Sequence, residues 1–290
     1  MSKILKDVPV VEVFTSQTNS LTPVEVINAY SSIGHAKVER PLGRMLLLAV
    51  LAGIFMAFGG AASNMAAHSL TDPGQVRLIS GLLFAFGLPL VMLTGAELFT
   101  GNILICVTVF MKGTTVAKAI RNWFFVYLGN FAGAVLIAVC CAFFGQFDYA
   151  GGGLALYSMK VAAGKCALSF PNALVLGFLG NMLVCLGVLC SLTAKDTAGR
   201  MLGAYLPVAL FVIAGFEHSI ANMFYIPAGL FALQVPKYAQ MAVLSGLDLS
   251  RLTWRNFLCG NLLPVTLGNV MGGLAVGGLM WAAHIGKKTS

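Results

Sequence analysis

Residues 45–67 pass without one charged side chain, and long apolar stretches of this kind recur six times along the 290-residue chain. A helix needs about 20 apolar residues to cross the hydrocarbon core of a bilayer, where only helices and closed barrels satisfy their own backbone. The stretches read as six membrane spans, roughly 43–67, 76–111, 119–145, 168–193, 201–232 and 257–284. Charged residues make up 10% of the chain, against about a quarter in soluble domains, so composition also points to an all-α integral membrane protein. The first twenty residues lack an apolar core with a small-residue cleavage site, so the first span is expected to act as the insertion signal.

The net charge of +8 raises the question of nucleic acid. No basic stretch is interleaved with aromatics in a soluble segment, and no nucleic-acid role is expected. Basic residues near span ends set orientation instead. With the N-terminus inside, Lys3, Lys6, Lys37, Arg40, Arg44, Lys112, Lys118, Arg121, Lys195, Arg200, Lys287 and Lys288 are cytoplasmic. Arg77, Lys160, Lys165, Lys237, Arg251 and Arg255 fall on the other side, so both termini are expected in the cytoplasm. Seven cysteines lie in or beside apolar runs with no Cys-x-x-Cys pair. They read as small buried hydrophobes, and no metal or cofactor is expected.

Three segments follow from this layout. Residues 1–42 are expected to form a cytoplasmic N-terminal segment, 43–284 a six-helix transmembrane domain, and 285–290 a cytoplasmic tail. Within the first, Thr22 reads as an N-cap, Pro23 as the first helical residue and Glu25 as its capping-box partner. Val24, Val26, Ile27, Tyr30 and Ile33 share one face, which predicts an amphipathic helix lying along the membrane surface.

The second and fifth spans are too long for one ordinary crossing. Each carries the same polar pattern in its middle: "GAELFTGN" at 95–102 and "GFEHSIAN" at 215–222, both Gly-x-Glu-x-x-x-x-Asn. A helix broken at membrane depth explains both the length and the octet, because unwound backbone is tolerated there when buried in protein or lining a wet cavity. Three spans per half force opposite orientations, so the chain reads as two inverted three-helix repeats with the site at their junction. "LGNFAG" (128–133) and "LGNVMGG" (267–273) add a second, weaker match between the halves.

Glu97 and Glu217 are the two acids deep in apolar sequence. A charge there costs on the order of 3 kcal/mol on insertion scales, so each needs partners or water. Two states are open: carboxylates accepting N–H bonds from broken helix ends, or protonated acids. His218 is the one histidine deep in a span. It reads either as an interhelical hydrogen-bonding group or as a proton-exchanging, anion-contacting group at a constriction, and its place in a helix break favours the second. The repeat sets Thr100 opposite it. Helices restarting after Asn102 and Asn222 would point free N–H groups at the midplane, which suits a small anion. Lys165 is either a lysine snorkelling to the interface or a cation at the pore entrance.

"GAELFTGN", "GNMLVCLGV" (180–188), "GFEHSIANMFYIP" (215–227) and "NLLPVTLGNVMGG" (261–273) resemble the signature segments of the formate/nitrite transporter family, with similarity running through roughly 25–284. The resemblance implies an aquaporin-like fold and a homo-pentamer with one pore per protomer. The small-residue faces 53–63 and 272–278 are then candidates for subunit packing. It implies His218 as the central histidine facing Thr100, with Asn181 and Asn222 orienting it and Glu217 as its neighbour. Leu98 falls in the interrupting loop, and Phe84, Leu88 and Phe211 where the family narrows its pore. Lys165 matches a vestibule lysine. One departure is Asn172, near a position where some formate-transporting members carry an acid.

The implied function is a channel or proton-coupled transporter for formate or a related small anion across the cytoplasmic membrane, with protons and lipids as the other partners. Nitrite and hydrosulfide remain alternatives within the fold. An aquaporin-like neutral-solute channel is a more distant one, since the chain has only "PNA" at 171–173 in place of two Asn-Pro-Ala motifs. An intramembrane enzyme is disfavoured. Ser219 directly follows His218, and neighbours in sequence make a poor nucleophile–base pair.

Overall fold

The computed structural model describes residues 20–286, and within them the architecture is helical, with one isolated β-bridge between Ser20 and Ala194. The basic residues Lys3, Lys6, Lys287 and Lys288 of the orientation argument lie outside the described residues. The first helices are α1 (Pro23–Val38), α2 (Leu42–Ala67), α3 (Pro73–Phe84) and α4 (Gly87–Thr94). Next come α5 (Phe99–Asn102), α6 (Ile105–Phe110), α7 (Val116–Phe143) and α8 (Gly153–Cys166). The chain continues through α9 (Phe170–Thr193), α10 (Thr197–Ile213), α11 (Ser219–Gln234) and α12 (Pro236–Leu244), and ends with α13 (Leu263–His284) after a π-helical turn over Asn256–Leu262. Five helical segments among the described residues are long and apolar enough to cross a membrane: 42–67, 73–94, 116–143, 170–193 and 256–284.

The capping box of α1 is present: the Thr22 hydroxyl accepts from the Glu25 amide while Glu25 accepts from the Thr22 amide at 2.7 Å. Its apolar face is not spread on a membrane surface. Val26, Ile27, Tyr30, Gly34 and Val38 are buried against the protein, and the Tyr30 hydroxyl donates to Gly101 O at 3.0 Å, while Val24 is exposed. The helix docks because its one strongly apolar stripe finds a protein groove that also satisfies the tyrosine hydroxyl.

Small residues set the helix packing, as expected where lipid removes the hydrophobic drive between helices. A Cβ on Gly133 of α7 would sit 2.1 Å from Val50 O of α2, and one on Gly272 of α13 would sit 2.2 Å from Phe178 O of α9. Two close helix pairs, α2 with α7 and α9 with α13, therefore frame the body. The glycines of the stretches offered above for subunit packing face inside the chain, while Phe58 and Leu274 in the same stretches stay exposed. Gly53 meets Asn130, while Gly273 and Gly277 meet Ile103 and Cys106. The sequence reading also leaves 146–167 as a plain connection, whereas the structure folds most of it into α8.

Candidate functional site

Both octets leave helical geometry in the same way. Gly95 and Gly215 end the preceding helices at φ +70° and +79°, a left-handed turn that suits glycine. Leu98 and His218 then stand in extended conformation as N-caps of α5 and α11. The helices restart ahead of Asn102 and Asn222, not after them. Each asparagine sits in the first turn and donates to its own octet's carboxylate at 2.6 Å. The leading amides are not held free for an anion. Phe99 N–H donates to Asn130 Oδ1 at 2.9 Å and Ser219 N–H to Asn269 Oδ1 at 2.8 Å. A buried amide without a partner costs about 1–3 kcal/mol, so the fold closes these two onto side chains.

The glutamates are held mainly by side-chain cations instead of backbone N–H groups. Lys37 Nζ lies 2.8 Å from Glu97 Oε2, and Arg40 pairs with the other oxygen. Lys165 Nζ bridges both Glu217 oxygens at 2.9 and 3.0 Å, which places this lysine on the glutamate rather than at the lipid interface. Behind each knot stands a second asparagine. Asn122 accepts from Asn102 and donates to Lys37 O; Asn261 accepts from Asn222 and donates to Lys165 O.

His218 is 1% exposed, between Thr100 and the start of α11. Its Nδ1 accepts from Ala221 N–H at 3.0 Å and its Nε2 meets Thr100 Oγ1 at 2.8 Å. A backbone amide can only donate, so Nδ1 carries no proton. The ring proton is then on Nε2, donating to Thr100 Oγ1, in a neutral imidazole. The Thr100 hydroxyl keeps its own proton for another acceptor. Neither Asn181 nor Asn222 bonds the ring. Asn181 donates to Thr100 O at 3.2 Å and to Asn269 O at 2.6 Å, fixing the residue that faces the histidine rather than the histidine itself. The Glu217 carboxylate, next in sequence, turns away to Lys165 and Asn222.

Two cavities approach this centre. The larger, about 920 Å³, is lined by Phe84, Phe211, Glu217 and His218, with Arg77, Lys160 and Lys165 among its cations. The smaller, about 330 Å³, is lined by Leu88 and Leu98, with Lys37, Arg40 and Arg200. Phe84 and Phe211 meet edge to face at 5.8 Å, and the His218 ring lies 6.4 and 5.8 Å from them. Thr100 and Asn181 are fully buried and border neither cavity. Sequence reasoning missed Lys37 and Arg40 as partners of Glu97, and Asn122 and Asn261 behind the knots. One signal was available: Lys37 precedes Lys165 by 128 residues, the same offset that separates Leu48 from Leu176, whose carbonyls accept from Glu97 and Glu217.

A helical body with membrane-length apolar segments, and two basic cavities, one of them ending at apolar rings beside a buried imidazole, is that of a membrane permeation protein. The chain belongs to the formate/nitrite transporter family, whose model matches residues 24–283. It is 33% identical to a probable formate transporter of Methanothermobacter thermautotrophicus, covering 91% of this chain and 97% of that one. It is 34% identical to the formate channel FocA of Escherichia coli strain K12, covering 91% and 95%. Among solved structures it is similar to a pentameric formate channel with formate bound, with a TM-score of 0.74 and 33% identity over 84% of this chain and 98% of that one.

Proposed function

We propose that the chain carries formate, or a closely related small monovalent anion, across the cytoplasmic membrane together with protons, as a homo-pentamer with one pore per protomer. The observation that carries this reading is the neutral His218–Thr100 pair set behind apolar rings where two basic cavities approach. In this reading six spans form two inverted repeats of an aquaporin-like fold. The second and fifth are broken at Gly95–Leu98 and Gly215–His218, residues 43–284 make the channel, and the flanking segments 1–42 and 285–290 are cytoplasmic. The smaller cavity then faces the cytoplasm and the larger one the outside, and outward apolar side chains such as Leu47, Phe124 and Leu206 meet lipid.

The residues have separate tasks. Lys165 and the other cations raise the local anion concentration in the outer cavity. Phe84 and Phe211 outside, and Leu88 and Leu98 inside, exclude a hydrated charge, so the substrate passes as the neutral acid. His218 donates Nε2–H to Thr100, whose own hydroxyl proton is left for a substrate that enters the buried centre between the two cavities. Glu217, Asn222 and Asn181 hold the two loops in register. Adding a proton at Nδ1 would break the cap on Ala221, worth about 1 kcal/mol, and leave a cation at a helix N-terminus. The imidazole therefore works as a neutral donor, and the proton that neutralises the anion comes from vestibule water.

Proteoliposome uptake of labelled formate, nitrite, hydrosulfide, acetate and lactate at two pH values tests the reading. Formate is expected to be fastest and faster at the lower pH. His218→Phe should bring formate flux to the level of protein-free vesicles while the pentamer remains assembled. His218→Asn keeps a neutral hydrogen-bond donor, so it should retain more flux than His218→Phe and leave the pH profile close to that of wild type. Unchanged flux in both variants would remove the histidine from the mechanism, a shifted pH profile in His218→Asn would show that the imidazole itself titrates, and glycerol swelling exceeding formate uptake would favour a neutral-solute channel.

A further inference from the structure

We infer that Tyr225 is a positioning residue that sets the Phe84 ring of the outer constriction, and so determines which anions pass; the inference rests on the transport reading above. Tyr225 belongs to the Met-Phe-Tyr-Ile-Pro segment after the second octet, and no step described so far uses it. It is 8% exposed and lines the outer cavity.

Three contacts fix its ring. It lies near-parallel to Phe84 with centroids 6.1 Å apart and 25° between planes. The Lys165 ammonium is 5.4 Å from its centroid, within the range of cation–π attraction. Its hydroxyl sits beside Ser63 of α2. The wall behind is equally tight. A Cβ on Gly60 would come within 2.6 Å of the Phe224 ring and 3.4 Å of Tyr225 Cζ, and one on Gly59 within 2.6 Å of Phe84 O. One turn of α2 thus seats both the tyrosine ring and the backbone that carries Phe84.

Phe84 is therefore confined from two sides, by Phe211 and His218 across the pore and by Tyr225 behind. Without the tyrosine ring, Phe84 gains room to tip away from Phe211, and the constriction widens. A steric gate of this kind discriminates by the volume of one extra methyl group, the difference between acetate and formate. Through the same ring Tyr225 ties the gate to Lys165, the cation that gathers the anion above it.

The test is the acetate-to-formate uptake ratio of reconstituted protein. Tyr225→Leu should raise the ratio about fivefold, the scale of one lost aromatic pair, while Tyr225→Phe, which keeps the ring, should stay within about twofold of wild type. A leucine variant with the ratio unmoved, including one in which both fluxes fall equally, overturns the inference. So does a phenylalanine variant that shifts as far as leucine, because the effect would then belong to the Ser63 contact. If the leucine variant does not elute as the assembled oligomer, Tyr225→Met is read by the same ratio. Wild type that carries neither anion overturns the transport reading as well; wild type that carries formate with an unmoved variant ratio overturns the role of Tyr225 alone.

Discussion

Glu97 and Glu217 occupy the same place in their octets, and the asparagines around them form the same bonds, but the cations differ. Glu97 is fully buried and meets two, Lys37 and Arg40; Glu217 is 7% exposed and meets one, Lys165. The extra arginine shifts the lysine. With Arg40 on one Glu97 oxygen, Lys37 takes the other and reaches Asn102 Oδ1 at 2.8 Å. In the second half Lys165 takes both oxygens, and Asn222 Oδ1 is buried with no hydrogen-bond partner. The first knot is saturated, while the second keeps an unused acceptor beside a lysine that opens on a large cavity. Two knots of one pattern thus differ: the first has every asparagine acceptor used, and the second keeps one spare.

Neutralising the carboxylates should separate them most. Glu97→Gln leaves two cations side by side at the inner cavity, so their mutual repulsion adds to the cost of breaking a pair with a fully buried carboxylate, about 3–5 kcal/mol. Glu217→Gln leaves one lysine that can turn into the cavity and be solvated, so its cost should be on the order of 1–2 kcal/mol. Thermal unfolding in mild detergent reads this directly. Equal melting temperatures for the two variants would show that Arg40 adds no demand on the first knot.

Removing the lysines should reverse the order. Glu97 without Lys37 still has Arg40 and Asn102, whereas Glu217 without Lys165 has Asn222 alone. Lys165→Ala should reduce formate uptake at low concentration roughly tenfold and the maximal rate less, because the lost charge gathers substrate without altering the central barrier. Lys37→Ala should change either quantity by no more than about twofold, a loss that cavity charge from Arg40 and Arg200 offsets. A Lys37→Ala effect as large as that of Lys165→Ala would show that Arg40 does not substitute for the lysine.

How much of this could be read beforehand differs between the same two regions. The apolar runs and the octets are local, so the membrane-length segments and the non-helical turns at Gly95 and Gly215 were legible. So was the meeting of Thr100 with His218, which the repeat suggests and the family resemblance implies. The Lys37–Glu97 contact was not. It joins residues 60 apart, and a lysine before a first span is indistinguishable by composition from one that merely sets orientation. Helix α8 was hidden because its sequence is small and mixed, "GLALYSMKVAAGKC", with no uninterrupted apolar run to mark it. Once α1 and α8 are both seen, each delivers a lysine from its C-terminal end to a glutamate, and the likeness between the two octets extends to the helices that brace them.

The smallest expected difference lies in the framework itself. Asn130 accepts from Phe99 N–H and donates to Ala49 O and Glu97 O; Asn269 accepts from Ser219 N–H and donates to Gly177 O and Glu217 O. Both side chains are fully buried, and each satisfies one amide and two carbonyls that have no water to turn to. Asn130→Ala and Asn269→Ala should each destabilise by about 1–3 kcal/mol, the cost of leaving such groups unpaired, and by the same amount within error. Asn269 also stands one bond from Asn181, which bridges its carbonyl to that of Thr100. The second variant should therefore lower formate flux somewhat further than the first at matched stability. Melting temperatures that differ by more than the assay error would mean that the two frameworks are not equivalent and that the asymmetry reaches below the cations.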